Sequence, residues 1–450
     1  MFRHAELGRL PVKARRQEAL LLAAAVALGL IAFVITRVNL DVSSGTTRIQ
    51  FLLVCMIAVL AHAGLRRFAP DADQVVLPTA ALLNLLGLVM MHRLDVADQT
   101  RAVRQGASMP DPTFVMQAAW TMLGISLMVA VLLLLPDHRR LQRFTYASMA
   151  AGLFLLVLPL LPVVGTTING ARLWVRVGAA SFQPGEFAKL FLAIFFAGYL
   201  VTKRDSMSVI RIRQWGLGLP SARDLVPVFA CWIASVAVLI LERDLGMSLL
   251  FFGLFVTTLY LATAQRTWLA LGALLFTVGA VSSYFLFDHV QTRVQVWLDP
   301  FAHADAQGYQ IAQSLYGLAS GGLFGTGLGD GFPNLVPYAK SDFILSALGE
   351  ELGFVGLAAI LMLFAILVQR ALRIAMHTKD SFGQLLAGAV GIVLGLQVFI
   401  VAGGVTRLIP LTGLTTPLLS AGGSSLVATW ISLGVLLRIS DTSNRSGDDA

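Results

Sequence analysis

A carboxylate or guanidinium at membrane depth costs roughly 2.5 to 3.5 kcal/mol, so one that persists among apolar runs is usually paired, cavity-facing and functional. Four clusters in this chain fit that description. Arg172 and Arg176 stand in NGARLWVRVG, and Glu186 and Lys189 open the run QPGEFAKLF. Glu242, Arg243 and Asp244 interrupt two apolar runs, and Asp342, Glu350 and Glu351 flank the start of another. Between the last two clusters lies a long, acidic, Gly-rich loop, residues 288–342, which carries Arg293, Asp299 and Asp305. Cations of this kind can hold an anionic substrate, and a carboxylate can take a proton from a reacting hydroxyl.

Each cluster also has a structural reading. Glu186 and Lys189, spaced i to i+3, can neutralise each other on one helix face. Glu350 and Glu351 can pair with an arginine elsewhere, and Asp244 can N-cap the run LGMSLLFFG. Asp299, before Pro300, suits a turn. The Gly321 to Gly331 segment, GGLFGTGLGDG, lacks both the Lys-Ser/Thr and the preceding strand of a phosphate-binding P-loop, so it reads as a tightly folded re-entrant or surface loop. Ahead of it, Tyr309 to Leu318 has Ile311, Leu315 and Leu318 in helical register.

The elements that must position these residues are membrane helices. Apolar runs long enough to cross a hydrocarbon core of about 30 Å begin near Glu18, Ile49, Val75, Thr113, Phe144, Phe187, Leu225, Leu245, Leu269, Phe343, Leu385 and Pro417. That makes about twelve spans. With a cytoplasmic N-terminus, alternate connections carry Arg66 and Arg67, then Arg139, Arg140 and Arg143, then Lys203, Arg204, Arg211 and Arg213, then Arg370, Arg373 and Lys379. The positive-inside rule therefore puts both termini in the cytoplasm and the 288–342 loop outside. All the clusters except Glu350 and Glu351 then lie near outer helix ends, where they can converge on one cavity.

Composition agrees. Hydrophobic residues make up 57% of the chain and charged residues 13%, with mean hydropathy +0.77, a balance no water-soluble domain carries. The net charge of +8 sits in short interhelical loops beside anionic lipid, and no basic segment is interleaved with stacking aromatics, so nucleic acid is not an expected partner. Cys55 and Cys231 lie inside apolar runs and read as packing residues. The polar tail DTSNRSGDDA reads as disordered.

Successive segments, FQPGEFAKL, ERDLGMSLL, GYQIAQSLYGLASGGLFGTGLG, SDFILSALGEELG and TTPLLSAGGSS, resemble the signatures of the shape, elongation, division and sporulation (SEDS) glycosyltransferases, the FtsW/RodA/SpoVE group. The resemblance runs from about Val75 to Arg438 and keeps the family order. It implies an all-α polytopic bundle: a ten-helix core over residues 73–438, two additional helices within residues 1–72 and a cytoplasmic tail over 439–450. LLGLVMMHRLD resembles the end of the first core helix, and VPYAKSDFILS leans towards RodA-like members.

The resemblance also implies an activity, polymerisation of lipid II, an undecaprenyl-diphosphate disaccharide-pentapeptide, into glycan strands. It implies a partner as well, a class B penicillin-binding transpeptidase. In the family an acidic residue of the large outward loop, in a W-x-x-DPxGxGYQ-like setting, is essential. Here the stretch reads FAHADAQGYQ, with His303 at the usual acidic position and Asp305 two residues later. Asp305 is favoured over Asp299 as the general base. Arg172, Arg176, Lys189 and Arg293 are then candidates to stabilise the departing diphosphate, with Glu186, Asp244 and Asp342 orienting them or holding a divalent cation. No His/Cys cluster supports a dedicated metal site. Two other classes meet the same pattern less well: a flippase for a lipid-linked precursor, and a noncatalytic scaffold for a transpeptidase.

Overall fold

A computed structural model describes residues 12–41, 45–162, 164–168, 171–177, 180–208, 212–214, 217–219 and 222–448. The first half holds α1 (Val12–Asn39), α2 (Gly45–Phe68), α3 (Val76–Gln105), α4 (Thr113–Leu134), α5 (Thr145–Val157), α6 (Pro184–Ser208) and α7 (Ala222–Leu241). The second holds α8 (Leu245–Thr263), α9 (Thr267–Leu286), α10 (Asp288–Leu298), α11 (Tyr309–Gly321), α12 (Ile344–His377), α13 (Ser381–Val405) and α14 (Gly423–Asp448). Among the described residues, eleven helical segments are long and apolar enough to cross a membrane, and α7 adds a shorter apolar stretch, Phe229–Val238. Each of the twelve apolar runs of the sequence thus coincides with a helix. If consecutive spans alternate, the connections after α1, α3, α5, α7, α9 and α13 share one face, here the loop face, and the arginine-rich connections share the other.

In lipid no hydrophobic effect draws helices together, so association rests on close packing and internal polar bonds. Both are concentrated in α3, α6, α13 and α14, which bury most of their surface, whereas α9 is almost wholly exposed to lipid. Gly87 of α3 shows how tight this packing is. A Cβ there would lie 2.5 Å from the Leu419 carbonyl oxygen.

Leu419 belongs to the irregular TTPLLSAGG segment between α13 and α14. Unwound backbone at membrane depth must have its polar groups satisfied by protein, and neighbouring side chains meet that need. Asn84 Nδ2 donates to the Leu418 carbonyl at 3.2 Å, Gln117 Nε2 to the Ser420 carbonyl at 2.8 Å, and the Gly422 N–H to Gln117 Oε1 at 3.2 Å.

The helix α12 is broken once, at Gly353, whose φ of 69° and ψ of −174° are not helical. Two i to i+4 bonds are lost there, and the Gly-rich loop replaces both sides of them. The Glu350 and Glu351 carbonyls accept from the Thr326 and Gly327 N–H groups, while the freed Phe354 and Val355 N–H groups donate to Gly322 and Leu323. The loop is therefore a tightly folded partner of α12, as its composition suggested. The helix α11 replaces the shorter Tyr309 to Leu318 prediction and buries Ile311.

Two features differ from the sequence reading. Small antiparallel sheets occupy two connections: β1 (Gly165–Ile168), β2 (Ala171–Val177) and β3 (Ala180–Phe182) before α6, and β4 (Ile212–Gln214) with β5 (Leu217–Leu219) after it. The C-terminal tail, expected to be disordered, continues α14 as far as Asp448. Ion pairs explain this. Arg438 and Arg445 both bond Asp441, and Arg445 also reaches Asp71 at 3.2 Å.

Candidate functional site

The charged cluster is built outward from the first turn of α6. Glu186 sits there, where the helix N-terminus favours a negative charge. One turn later Lys189 places its Nζ 2.5 Å from Glu186 Oε2 and donates to Gln397 Oε1 of α13 at 2.8 Å. Gln397 Nε2 in turn donates to the Thr415 carbonyl at 2.9 Å. All three side chains are buried. The i,i+3 pairing anticipated from sequence is thus made, but inside the protein and tied to a second helix.

A second layer lies at the helix ends on the loop face. Asp244 N-caps α8, accepting from the Met247 N–H at 2.8 Å. Arg293 of α10 donates to the Leu411 carbonyl at 2.8 Å and lies within electrostatic reach of both Asp244 and Asp342. Burial pushes the Asp244 carboxyl up to about 6, against the Met247 N–H and the charges of Arg293 and Lys189, which pull it down. Burial likewise raises Asp342 to about 6, partly offset by Ser341 and Arg293. Glu242, buried beside Asp244, is pushed up to about 8.

These layers bring together Glu186, Lys189, Asp244, Arg293 and Asp342 of the expected residues. A narrow cavity of about 40 Å³ opens beside the first of them, lined by Glu186, Lys189, Gln397, Pro417, Thr429 and Ser432. A buried and a half-buried cation among carboxylates can hold a diphosphate and stabilise charge that grows on it.

Arg172, Arg176, Asp299 and Asp305 stand apart, with no hydrogen bond or ion pair to that cluster among the described residues. Arg172 Nη2 donates to the Leu161 carbonyl at 3.1 Å, and Arg176 is exposed on β2 opposite Ser181. Asp299 follows the last turn of α10, where its Oδ1 accepts from the Ala302 N–H at 3.1 Å, so its turn role is real. Asp305 is exposed in the loop between α10 and α11, and its carboxylate has no hydrogen-bond or ion-pair partner among the described residues. Arg407 fixes the start of that loop by donating to the Trp297 carbonyl at 2.8 Å and to the Leu298 carbonyl.

Several residues that frame the site are not singled out by the sequence reading. Arg93 Nε pairs with Glu351 at 2.7 Å and its Nη2 donates to the Gly331 carbonyl at 2.5 Å, locking α3 to the Gly-rich loop. Glu350 accepts from the Phe332 N–H at 2.6 Å and Glu351 from the Gly329 N–H at 3.1 Å, so both hold the Gly-rich loop. Lys340 bridges Asp95 at 2.7 Å and Asp98 at 2.6 Å. Burial alone would lower the Lys340 pKa, but the bonds to Asp95 and Asp98 outweigh it and raise it. The signal was present in HRLD, three ionisable residues at the end of an apolar run, and in the lone Gln397 of VGIVLGLQVFIV.

Among the described residues no three His, Cys, Asp or Glu side chains come together as metal ligands. Within the cluster the carboxylates of Glu186, Asp244 and Asp342 lie beside the cations Lys189 and Arg293.

A family model described as "Cell cycle protein", covering FtsW, RodA and SpoVE, matches residues 73–445. The chain belongs to the FtsW/RodA/SpoVE family. Within it, the chain is 47% identical over 438 residues to the peptidoglycan glycosyltransferase RodA of Mycobacterium tuberculosis, an alignment spanning 97% of this chain and 92% of that one. It is 32% identical to the stage V sporulation protein E of Bacillus subtilis, over 83% of this chain and 98% of the relative. Among solved family structures, the crystal structure of Thermus thermophilus rod shape determining protein RodA aligns with TM-score 0.56 at 25% identity, covering 82% of this chain and 96% of that one. A chain from a peptidoglycan synthase complex, described as coordinating polymerisation and crosslinking, aligns with TM-score 0.65 at 26% identity, covering 83% and 98%.

Proposed function

We propose that the protein is a peptidoglycan glycosyltransferase that polymerises lipid II at the outer face of the cell membrane. The observation that carries this is the buried Lys189 and the half-buried Arg293, both set among carboxylates on the face that also bears the loop of Asp299 and Asp305. The names of the relatives support it, and higher identity to relatives named RodA than to those named FtsW favours an elongation-type member.

In the reaction, an acceptor sugar hydroxyl forms a bond to the anomeric carbon of a second lipid-linked sugar. The bond from that carbon to the lipid diphosphate breaks, and its electron pair leaves with the diphosphate. The hydroxyl proton goes to a carboxylate, for which Asp305 is our assignment: it is exposed and free of competing bonds, as a base that must reach substrate requires. Asp299 is held as a turn residue and is the weaker choice. Lys189 and Arg293 take the charge developing on the diphosphate, with Glu186, Asp244 and Asp342 fixing their positions. Arg172 and Arg176, on the central strand β2, would meet the substrate further out.

The arginine-rich connections support a cytoplasmic location for both termini. The synthase complex among the structural neighbours supports a transpeptidase partner that crosslinks the product.

The test is polymerisation of labelled lipid II by purified, reconstituted protein, with and without its transpeptidase, comparing wild type with Asp305→Asn and Asp299→Asn. Loss of glycan ladders by at least about 100-fold in Asp305→Asn alone supports the assignment. Loss only in Asp299→Asn moves the base to that residue. No ladder from well-folded wild type with its partner favours a flippase or scaffold.

A further inference from the structure

The helix α11 carries no charged residue, and its two sides differ in character. Ile311, Ala312, Ser314 and Gly317 are buried, and Leu318 lies against Gly349 of α12. Half a turn round the helix from Leu318, the residues Tyr309, Gln313 and Tyr316 share one stripe at i, i+4 and i+7. That stripe is turned away from α12. The Tyr316 ring lies against Phe301, with centroids 5.7 Å apart, yet the two rings stay 51% and 48% exposed. Tyr309 is 42% exposed. None of Tyr309, Gln313 and Tyr316 has a hydrogen-bond partner for its side chain among the described residues.

The stripe begins where the loop of Asp305 ends. The Gly308 N–H donates to the His303 carbonyl at 2.9 Å and the Tyr309 N–H to the Ala306 carbonyl at 3.3 Å, so the chain winds from Asp305 straight into α11. A Cβ on Gly308 would stand 2.4 Å from the Pro300 carbonyl oxygen, so the two ends of the loop are pinched together, and Phe301 comes to rest on the helix. From Tyr309 to Tyr316 is roughly 10 Å along the helix, the length of a disaccharide. The chemistry of the stripe selects among occupants. Without a cation it offers nothing to a lipid phosphate, and its amide and phenol groups would be stranded beneath an apolar helix. A β-linked pyranose matches both of its components. The axial C–H bonds of the sugar present an apolar, weakly positive face to an aromatic ring, while its equatorial hydroxyl and N-acetyl groups meet the amide and phenols at the rim.

We infer that Tyr309, Gln313 and Tyr316, with Phe301, form a saccharide-binding strip that holds the glycan strand beside the base. The inference rests on the glycosyltransferase reading and extends it: Asp305 acts on the reacting sugar, and the strip holds the sugars beyond it. A strand held there dissociates more slowly between additions, so the strip governs the length of the product.

The experiment is saturation-transfer difference NMR of the full-length protein in nanodiscs with chitotetraose, a soluble β-1,4-linked oligomer of N-acetylglucosamine. Wild type is expected to transfer saturation to the sugar ring protons. Tyr316→Leu, which stays apolar but loses the aromatic face, should weaken binding about tenfold, and Tyr316→Trp should retain it. Both variants should melt with wild type, because the side chain is half exposed. In polymerisation of lipid II, Tyr316→Leu should yield shorter strands than wild type. No binding of chitotetraose by wild type, or equal binding by Tyr316→Leu, overturns the inference and leaves the glycosyltransferase reading standing. Quantitative crosslinking of Tyr316→Cys to the transpeptidase also overturns it, since the stripe would then be a protein interface. Binding that Tyr316→Leu abolishes, with no polymer from wild type and its partner, supports the saccharide strip and overturns the glycosyltransferase reading instead.

Discussion

Asp244 and Asp342 face one guanidinium, that of Arg293, and burial raises both carboxyls from 3.8 to about 6. The sign of the consequence follows from proton linkage. Between about pH 4 and 6 the folded state holds protons that the unfolded chain releases, so stability from these groups falls as pH rises through that window and is flat above it. We expect the melting temperature of the solubilised protein to drop over that interval, and less steeply in Asp342→Asn; parallel slopes would show that Asp342 does not titrate there. Removing a cation tests the inner layer. Lys189→Met leaves Glu186 buried without its partner and is expected to cost about 3 to 5 kcal/mol, read as a lower melting point, together with loss of polymerisation. Glu186→Gln combined with Lys189→Met should recover the stability but not the activity. The local geometry here was readable in advance, because a pair at i,i+3 and a cap before an apolar run are decided by near neighbours in sequence. The Arg93–Glu351 pair joins residues 258 apart, and no local rule reports which arginine Glu351 will find.

At the scale of elements, the Gly-rich loop and the break in α12 are one structure. The run SALGEELGFVG reads as uninterrupted helix, and its break is visible only once the loop has supplied the missing bonds. Gly353 must be glycine for two reasons: its φ of 69° disfavours any Cβ, and a Cβ there would stand 2.2 Å from the Gly325 nitrogen. Gly353→Ala is therefore expected to destabilise by several kcal/mol, because it must separate the loop from the helix. Limited proteolysis between Gly322 and Gly331 should speed up in this variant, and an unchanged cleavage pattern would mean the loop is held by other contacts. The same logic explains the misjudged tail. Its composition is that of a disordered segment, yet Asp441 accepts from Arg438 and Arg445 across successive turns and from the Asp71 N–H on another connection. Composition records polarity, whereas the helix depends on which groups meet.

For the molecule as a whole, the part outside the family match is the helix pair that precedes residue 73. The sequence identified these two spans by length and apolarity but could not say what they touch. In the structure α1 packs along α3 and is tied to α2 by the buried Glu18–His62 contact at 2.6 Å. At the loop-face end of α1, Asn39 Nδ2 donates to the Leu328 carbonyl at 2.7 Å and to Asp330 at 3.1 Å, and its Cβ would meet one added to Gly329 at 3.0 Å. Gly329 in turn donates its N–H to Glu351. The additional helices thus press on the outer side of the loop whose inner side carries the α12 break and the Arg93 ion pair. Among the described residues neither helix hydrogen-bonds to the Glu186–Arg293 cluster, so we expect them to brace the loop rather than to act in the site. Deleting residues 1–72 should accordingly leave the core folded and lower polymerisation by less than about tenfold, while hydrogen exchange at Gly327 to Asp330 accelerates. Asn39→Ala should reproduce the faster exchange in the full-length chain. If the truncated protein exchanges at the wild-type rate, Arg93 and Glu351 hold the loop unaided and the N-terminal pair serves another purpose.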